Sequence, residues 1–165
     1  MHEADPKLSP RRQARQLFRE AYRAQMSGDL ADALRLYQAS IDVCPTAEAY
    51  TFLGWTHSFR HDYVEALRCC HVAIEVDPTF GNPYNDIGAY LIELGAWDEA
   101  EPWLRAATRA PRYSSYHFPL YNLGRLYERR FDFALAERHY ALALRVSPKY
   151  GLARRAVQRL RARAN

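Results

Sequence analysis

Small and large apolar residues recur along the chain with one spacing, repeated four times. In each copy an alanine is followed four positions later by tyrosine, cysteine or leucine, and three positions after that by another small residue. The copies are Ala33, Tyr37 and Ser40; Ala66, Cys70 and Ala73; Ala100, Leu104 and Ala107; Ala136, Tyr140 and Ala143. Offsets of four and three residues place side chains on one face of an α-helix. The pattern therefore predicts four amphipathic helices, each with a closely packed stripe.

A second helical stretch precedes each of these helices, and a small residue marks its centre. The four small residues are Ala21, Gly54, Gly88 and Gly124. Because a small residue lets two helices approach closely, each pair of stretches predicts an antiparallel helical hairpin. An aspartate stands near the start of every second helix, where a carboxylate can cap unpaired amides. These aspartates are Asp29, Asp62, Asp98 and Asp132.

The combined pattern resembles the tetratricopeptide repeat, a helical hairpin of about 34 residues with small, aromatic and proline positions of this kind. Pro45, Pro78 and Pro148 close three of the units. The resemblance covers four units, which are residues 14–46, 47–80, 81–116 and 117–150. It implies an all-α fold, a right-handed α-α superhelix in which stacked hairpins share the core that no single repeat can form.

The chain departs from the family pattern at the turns and in the third unit. His61 and Phe131 stand where the family has a glycine between the two helices, and Arg112 replaces the usual proline. The third unit is also two residues longer than the second and fourth, within the Tyr-rich segment PRYSSYHF. We expect this connection to protrude.

The two ends of the chain differ from the repeats. Residues 1–12 are polar and predict a flexible basic tail before a single domain over residues 13–163. Residues 151–163 carry a narrow apolar stripe among arginines. A repeat array needs a terminal element whose outer face tolerates water, so this segment predicts a capping helix.

Composition indicates a soluble folded protein, since 48% of the 165 residues are hydrophobic and 25% are charged. The N-terminus has no apolar run of the kind found in signal peptides, and no stretch is long and apolar enough for membrane insertion. Cys44, Cys69 and Cys70 are odd in number and predict reduced thiols rather than a disulfide framework. We therefore expect a cytoplasmic protein.

Charge is unevenly distributed, although the net charge is only +4. Residues 47–116 contain 5 basic and 10 acidic residues, whereas residues 117–165 contain 11 basic and 3 acidic residues. A basic end beside an acidic middle favours an acidic partner, or self-assembly in which neighbouring molecules meet head to tail. Clustered arginines also bind phosphates, but the small net charge places nucleic-acid binding below protein binding.

No residue pattern points to catalysis, a metal or a cofactor. His57 and His61 share a helical spacing but lack the other elements of a zinc motif. Cys70 and His71 are adjacent in a predicted helix, so their side chains point about 100° apart and cannot form a nucleophile–base pair. The sequence also lacks a Gly-rich phosphate loop. We therefore predict a non-enzymatic protein.

The resemblance implies a binding groove lined by the first helix of each hairpin. Its predicted contact residues are Phe18, Tyr22, Thr51, Trp55, Asn82, Asn85, Tyr121, Arg125, Arg129 and Arg155. Aromatic residues and arginine are enriched at binding hot spots, asparagine can pair with a peptide backbone, and two arginines one turn apart can hold a carboxylate. The cations with which some family members clamp a chaperone C-terminus are missing from the corresponding positions.

These observations predict an adaptor or scaffold that binds a peptide or helix of a partner protein in the groove. Self-assembly through acidic and basic regions is an alternative prediction. A role in binding RNA or another nucleic acid ranks third.

Overall fold

The structure, a computed structural model, describes residues 9–164 and contains nine α-helices and no β-strand in this range. They are α1 (Pro10–Ser27), α2 (Leu30–Val43), α3 (Ala47–Phe59), α4 (Tyr63–Val76), α5 (Asn82–Glu93), α6 (Trp97–Ala107), α7 (His117–Arg129), α8 (Phe133–Val146) and α9 (Gly151–Ala164). Most of the predicted basic tail lies outside the described residues. However, residues 10–12, assigned to that tail, belong to α1.

The helices group into two compact units, Met1–Pro78 and Thr79–Asn165. In the first unit, α1 packs on α2, α2 on α3, and α3 on α4. The second unit contains the hairpins α5–α6 and α7–α8, with α9 packed on α8. The all-α prediction is confirmed, while a single domain over residues 13–163 stays a prediction.

The repeated small–large–small stripe forms the interior of each hairpin. All of its members, from Ala33 to Ala143, are at most 2% exposed to solvent. The buried hydroxyl of Ser40 donates a hydrogen bond of 2.8 Å to the carbonyl oxygen of Ala14, so even the polar member of the stripe is satisfied. The helical periodicity therefore identified the core positions of the second helices.

The central glycines of the first helices lie where the paired helices come closest. A Cβ atom on Gly54 would lie 2.9 Å from the carbonyl oxygen of Ala66. One on Gly124 would lie 2.5 Å from two ring carbons of Tyr140. The missing side chain is therefore the space into which the second helix packs.

Helix capping follows the prediction in three hairpins and departs from it in one. Asp29, Asp62 and Asp132 each accept a hydrogen bond from the amide three residues further on. The prediction for Asp98 is wrong, because α6 begins at Trp97 and its N-cap is Ala96, two residues before Asp98. The Asp98 carboxylate instead accepts a hydrogen bond of 2.6 Å from Arg130.

The turns within the hairpins require a left-handed residue, whatever its side chain. Gly28 and Gly95 adopt φ angles of 88° and 79°, and His61 and Phe131 adopt 60° and 62° at the corresponding places. For a residue with a Cβ this conformation costs roughly 1 kcal/mol. The two departures from the family glycine therefore retain the glycine geometry at a cost in stability.

The connection before α7 does not protrude, so that expectation is wrong. The amide of Arg112 donates to the carbonyl of Thr79, and the amide of Gly81 donates to the carbonyl of Arg112. Tyr113 packs against Gly81 so closely that a Cβ added to Gly81 would lie 2.4 Å from the Cβ of Tyr113. The hydroxyl of Tyr116 donates to the carbonyl of Ala110 at 2.9 Å. These contacts fold the segment back against the start of α5.

Replacing Gly124 by alanine tests the close approach of α7 and α8. Glycine to alanine within a helix normally stabilises by about 0.5–1 kcal/mol. Here the new methyl group would overlap the buried Tyr140 ring, so we expect a net loss of about 1–3 kcal/mol in the free energy of unfolding. Urea denaturation followed by circular dichroism measures this loss.

The matched control is Gly151→Ala, whose Cβ would meet only the tip of the Arg155 side chain, at 3.4 Å. We expect this variant to be at least as stable as the parent. Equal stability of Gly124→Ala and the parent would contradict the packing described.

Candidate functional site

In the first unit, α1 and α3 present a continuous row of aromatic rings. We call this row the aromatic face; its members are Phe18, Tyr22, Phe52, Trp55 and Phe59. Ring centroids lie 5.2 Å apart between Phe18 and Phe52, 5.6 Å between Phe52 and Trp55, and 5.2 Å between Trp55 and Phe59. Tyr22 and Phe59 are 41% and 48% exposed. The face is therefore both packed together and open to solvent.

The buried side of the aromatic face is anchored in the core of the hairpin. The Phe18 ring meets the Tyr37 ring edge to face, with 5.4 Å between centroids. The Tyr37 hydroxyl is fully buried and donates a hydrogen bond of 2.8 Å to Gln25. Burial raises the pKa of this hydroxyl well above its ordinary value, with a further contribution from Tyr22. These contacts limit the movement of Phe18 and hold the face in one arrangement.

The predicted contact residue Thr51 does not belong to the exposed surface. Its side chain is buried, and its hydroxyl donates a hydrogen bond of 2.7 Å to the carbonyl of Ala47 on the same helix. Phe52, the next residue, lies on the aromatic face instead. Thr51 therefore has no free donor to offer a ligand.

In the second unit, a chain of hydrogen bonds joins α5 and α7. Asn85 donates to Asp86 at 3.2 Å and accepts from Asn122 at 3.1 Å. Arg125 donates to Asn122 at 3.3 Å and to Glu93 at 2.9 Å. We call these five residues the amide chain. Because Asn85 and Arg125 already bond to neighbouring side chains, they are less free to bind a peptide than the sequence indicates.

Asp86 lies at one end of the amide chain. Desolvation raises the pKa of its carboxyl group to about 7, although the hydrogen bond from Asn85 lowers it. The charge of Asp86 therefore changes near neutral pH. Asn82, one turn earlier, is half-buried and has no hydrogen-bond partner for its side chain among residues 9–164. Its amide is available to a ligand.

Several arginines that make residues 117–165 basic have acidic partners within the second unit. Arg130 donates to Asp98 and Glu101, both at 2.6 Å. Arg159 donates to both carboxylate oxygens of Glu128, at 2.7 and 2.8 Å. These internal pairs reduce the charge available for contacts between molecules. Self-assembly through this region stays a prediction.

Glu101 is the centre of the densest group of such bonds. It accepts hydrogen bonds from Arg105, from the hydroxyl of Tyr127 at 2.7 Å and from Arg130. Desolvation alone would raise the pKa of Glu101, but these three donors lower it to about 2. The group ties α6 to α7 and so fixes the position of the helix that carries Tyr121 and the predicted arginines.

A cleft of about 380 Å³ lies beside this group, between α7, α8 and α9. We call it the arginine cleft; its lining residues are Trp97, Tyr121, Arg125, Glu128, Arg129, Phe131, Phe133, Tyr140, Arg159 and Arg163. Tyr121 is fixed by contacts with Tyr140 and Tyr150, each at 5.3 Å between ring centroids. Of the predicted contact residues, the cleft brings together Tyr121, Arg125 and Arg129. Arg155 is exposed outside its lining.

Sequence reasoning missed several residues of these surfaces. Phe52, Asp86 and Asn122 each stand two positions before the central glycine of a first helix. That shared position was a usable signal. Phe131 was marked only by its place at the family glycine, and no signal marks Trp97, because its place beside the arginines depends on how the helices pack.

In residues 9–164, no group of three His, Cys, Asp or Glu side chains is arranged to hold a metal ion. Cys44, Cys69 and Cys70 form no disulfide with one another, and burial raises the pKa of Cys69 to about 11. None of the described helices combines the length and the apolar character needed to cross a bilayer.

Comparison with known proteins gives the family of the repeat. A family model for the tetratricopeptide repeat matches residues 119–150. Anaphase-promoting complex subunit 3 of Schizosaccharomyces pombe is 30% identical over 126 residues, which are 75% of this chain and 18% of that protein. Protein bimA of Emericella nidulans is 27% identical over 101 residues, which are 61% of this chain and 12% of that protein. The chain thus spans less than a fifth of the length of either relative.

Solved structures share the fold. PilF of Pseudomonas aeruginosa superposes with a TM-score of 0.85 at 18% identity, covering 93% of this chain and 70% of that one. PilW, a type IV pilus biogenesis factor, gives a TM-score of 0.83 at 18% identity, covering 92% and 70%. YrrB, described as a TPR protein with an unusual peptide-binding site, gives 0.69 at 18% identity, covering 88% and 74%. The predicted helical-repeat fold is therefore confirmed.

The raised pKa of Asp86 predicts that Asp86→Asn stabilises the protein at alkaline pH. In the folded protein the Asp86 carboxyl group keeps its proton up to pH about 7, whereas the ordinary pKa of an aspartate is 3.8. Stability therefore falls as the pH rises from 3.8 to 7, and the amide removes this loss. We expect a gain of more than about 1 kcal/mol in the free energy of unfolding at pH 8 and little gain at pH 4. Urea titrations at both pH values measure it, and equal effects would contradict the assignment.

Glu101 predicts the opposite dependence. Its pKa is lowered from 4.5 to about 2 on folding, so its contribution is fully present above pH 4.5 and is lost as the pH falls toward 2. Glu101→Gln should reduce the free energy of unfolding by about 1–3 kcal/mol at pH 7. The difference should shrink steadily below pH 4.5 in urea titrations. Glu99→Gln, an exposed change on the same helix, serves as control, and a pH-independent difference would refute this role.

Proposed function

Because the chain belongs to the tetratricopeptide repeat family, we propose that it is a protein-interaction module that binds a peptide or helix of a partner protein. The proposed contacts lie on the first helices of the hairpins, which are α1 and α3 in the first unit and α5 and α7 in the second. The second helices bury their apolar stripes in the core, so we assign the contacts with a partner to the first helices.

The observation that carries this proposal is the aromatic face. Aromatic side chains are large, rigid and enriched at binding hot spots. In an ordinary folded domain, most such rings are covered. Here Tyr22 and Phe59 are about half exposed, while Phe18 and Phe52 hold the row in place from beneath. A fixed and partly open aromatic row suits the apolar side chains of a bound segment.

The comparisons support the same role at the level of the family. One structural neighbour, YrrB, is described as having a peptide-binding site. One relative, anaphase-promoting complex subunit 3, is a subunit of a protein complex. Binding of a protein or peptide requires no cofactor and no catalytic residue, and we assign neither to this chain.

Substitution of Trp55 tests the aromatic face. Peptides selected from a random phage-displayed library on the parent protein supply the probes, and titration calorimetry gives their Kd. Trp55 contacts both Phe52 and Phe59, so Trp55→Ala removes the centre of the row. We expect the Kd to rise by at least about tenfold, since hot-spot truncation costs on the order of 2 kcal/mol.

The control is Val64→Ala, which truncates an exposed apolar residue on α4, outside the aromatic face. Its Kd should stay within about twofold of the parent value, and circular dichroism should show both variants folded. Undiminished binding by Trp55→Ala would place the site elsewhere.

A further inference from the structure

The arginine cleft contains two kinds of arginine. Arg125 and Arg159 have carboxylate partners, Glu93 and Glu128, at 2.9 and 2.7 Å. Arg129 and Arg163 have no carboxylate within ion-pair distance among residues 9–164. The cleft therefore carries two guanidinium groups whose charge is not matched by a direct partner.

Both unmatched guanidinium groups lie over aromatic rings. The central carbon of Arg129 is 5.5 Å from the ring centre of Trp97, and that of Arg163 is 4.7 Å from the ring centre of Phe133. A guanidinium stacked on a ring keeps the N–H donors along its edge free and loses little conformational freedom when it binds. Such a group is suited to a carboxylate, which it can hold through two parallel hydrogen bonds.

Phe131 adds an apolar contact at the edge of the same cleft. It is 80% exposed, and its φ angle of 62° is one that glycine adopts without strain. Its ring leans on Phe133, with 6.3 Å between centroids. The left-handed backbone at a residue with a Cβ costs stability, and strain of this kind is concentrated at binding sites.

The lining favours an acidic protein segment over a nucleic acid. A nucleic-acid strand is bound by an extended basic track with stacking platforms. Here the arginines are confined to one cleft of about 380 Å³ instead of forming a track, and the carboxylate of Glu128 stands among them. A partner segment with a carboxylate side chain next to an apolar side chain would complement both the charge of the arginines and the aromatic rings of the cleft.

We propose that the arginine cleft recognises a segment of a partner protein in which two acidic residues flank or adjoin an aromatic or large aliphatic residue. This inference rests on the proposed function, since it names the class of segment that the second unit takes. Arg129 and Arg163 bind the carboxylates, and Phe131 covers the apolar side chain between them.

The test is a comparison of peptide selections on the full chain. A random phage-displayed library is selected on the parent protein and on the double variant Arg129→Gln and Arg163→Gln. On the parent we expect recovered peptides to be enriched in Asp or Glu beside Phe, Trp, Leu or Ile. On the double variant this enrichment should disappear, and acidic peptides from the parent selection should bind it at least about tenfold more weakly.

Matched charge and strain controls separate recognition from folding. The double variant Arg138→Gln and Arg145→Gln removes the same charge from exposed places on α8 outside the cleft lining. Acidic peptides from the parent selection should bind this variant as tightly as they bind the parent. Phe131→Gly should raise the melting temperature, because it relieves the backbone strain at the turn. The same variant should bind acidic peptides at least about fivefold more weakly than the parent. His61→Gly relieves the same strain in the first unit and should raise the melting temperature without affecting these peptides.

Each contrary result has a distinct meaning. Peptides recovered without acidic enrichment, or with the same enrichment on the double variant, overturn this inference and leave the proposed function standing. No recovered peptide on the parent overturns both. A single-stranded RNA 20-mer that binds the parent, fails on the double variant and displaces no acidic peptide overturns it in favour of nucleic acid.

Discussion

The close approach of two helices at a residue with little or no side chain is the constraint on which both units depend. In α7 the absence of a Cβ on Gly124 admits the ring of Tyr140. That ring is then buried, its hydroxyl donates to Glu128 at 2.8 Å, and Tyr121 packs on its face. Glu128 in turn holds Arg159. The absence of a side chain at Gly124 therefore determines where several lining residues of the arginine cleft lie.

The same construction divides the work between the two helices of a hairpin. Each second helix buries its small–large–small stripe, and the large apolar side chains that these helices leave exposed are valines such as Val64 and Val146 rather than aromatic rings. Each first helix meets its partner through a small residue and keeps its larger side chains for another face. In the first unit those side chains include the aromatic rings of Tyr22 and Trp55, and in the second they include Tyr121 and Arg129. The units therefore offer a ligand different chemistry on one scaffold.

The sequence predicted what depends on regular spacing and missed what depends on pairing between helices. The buried stripe, the hairpins and the caps at Asp29, Asp62 and Asp132 follow from offsets of three and four residues. Asp98 is not a cap, because its helix begins at Trp97, two residues earlier than the aspartate pattern predicted. Among the site residues, Asn85 is engaged by Asn122, 37 positions away. Sequence spacing carries no information on such a contact, because it depends on the register between α5 and α7.

Binding through the first helices is tested most directly by hydroxyl-radical footprinting of side chains, with and without a saturating selected peptide. The account predicts that oxidation of Tyr22 and Phe59, on the aromatic face, falls when the peptide binds. Oxidation of Val64 and Val146, which are exposed on α4 and α8, should not change. Protection of these valines with Tyr22 and Phe59 unaffected would contradict it.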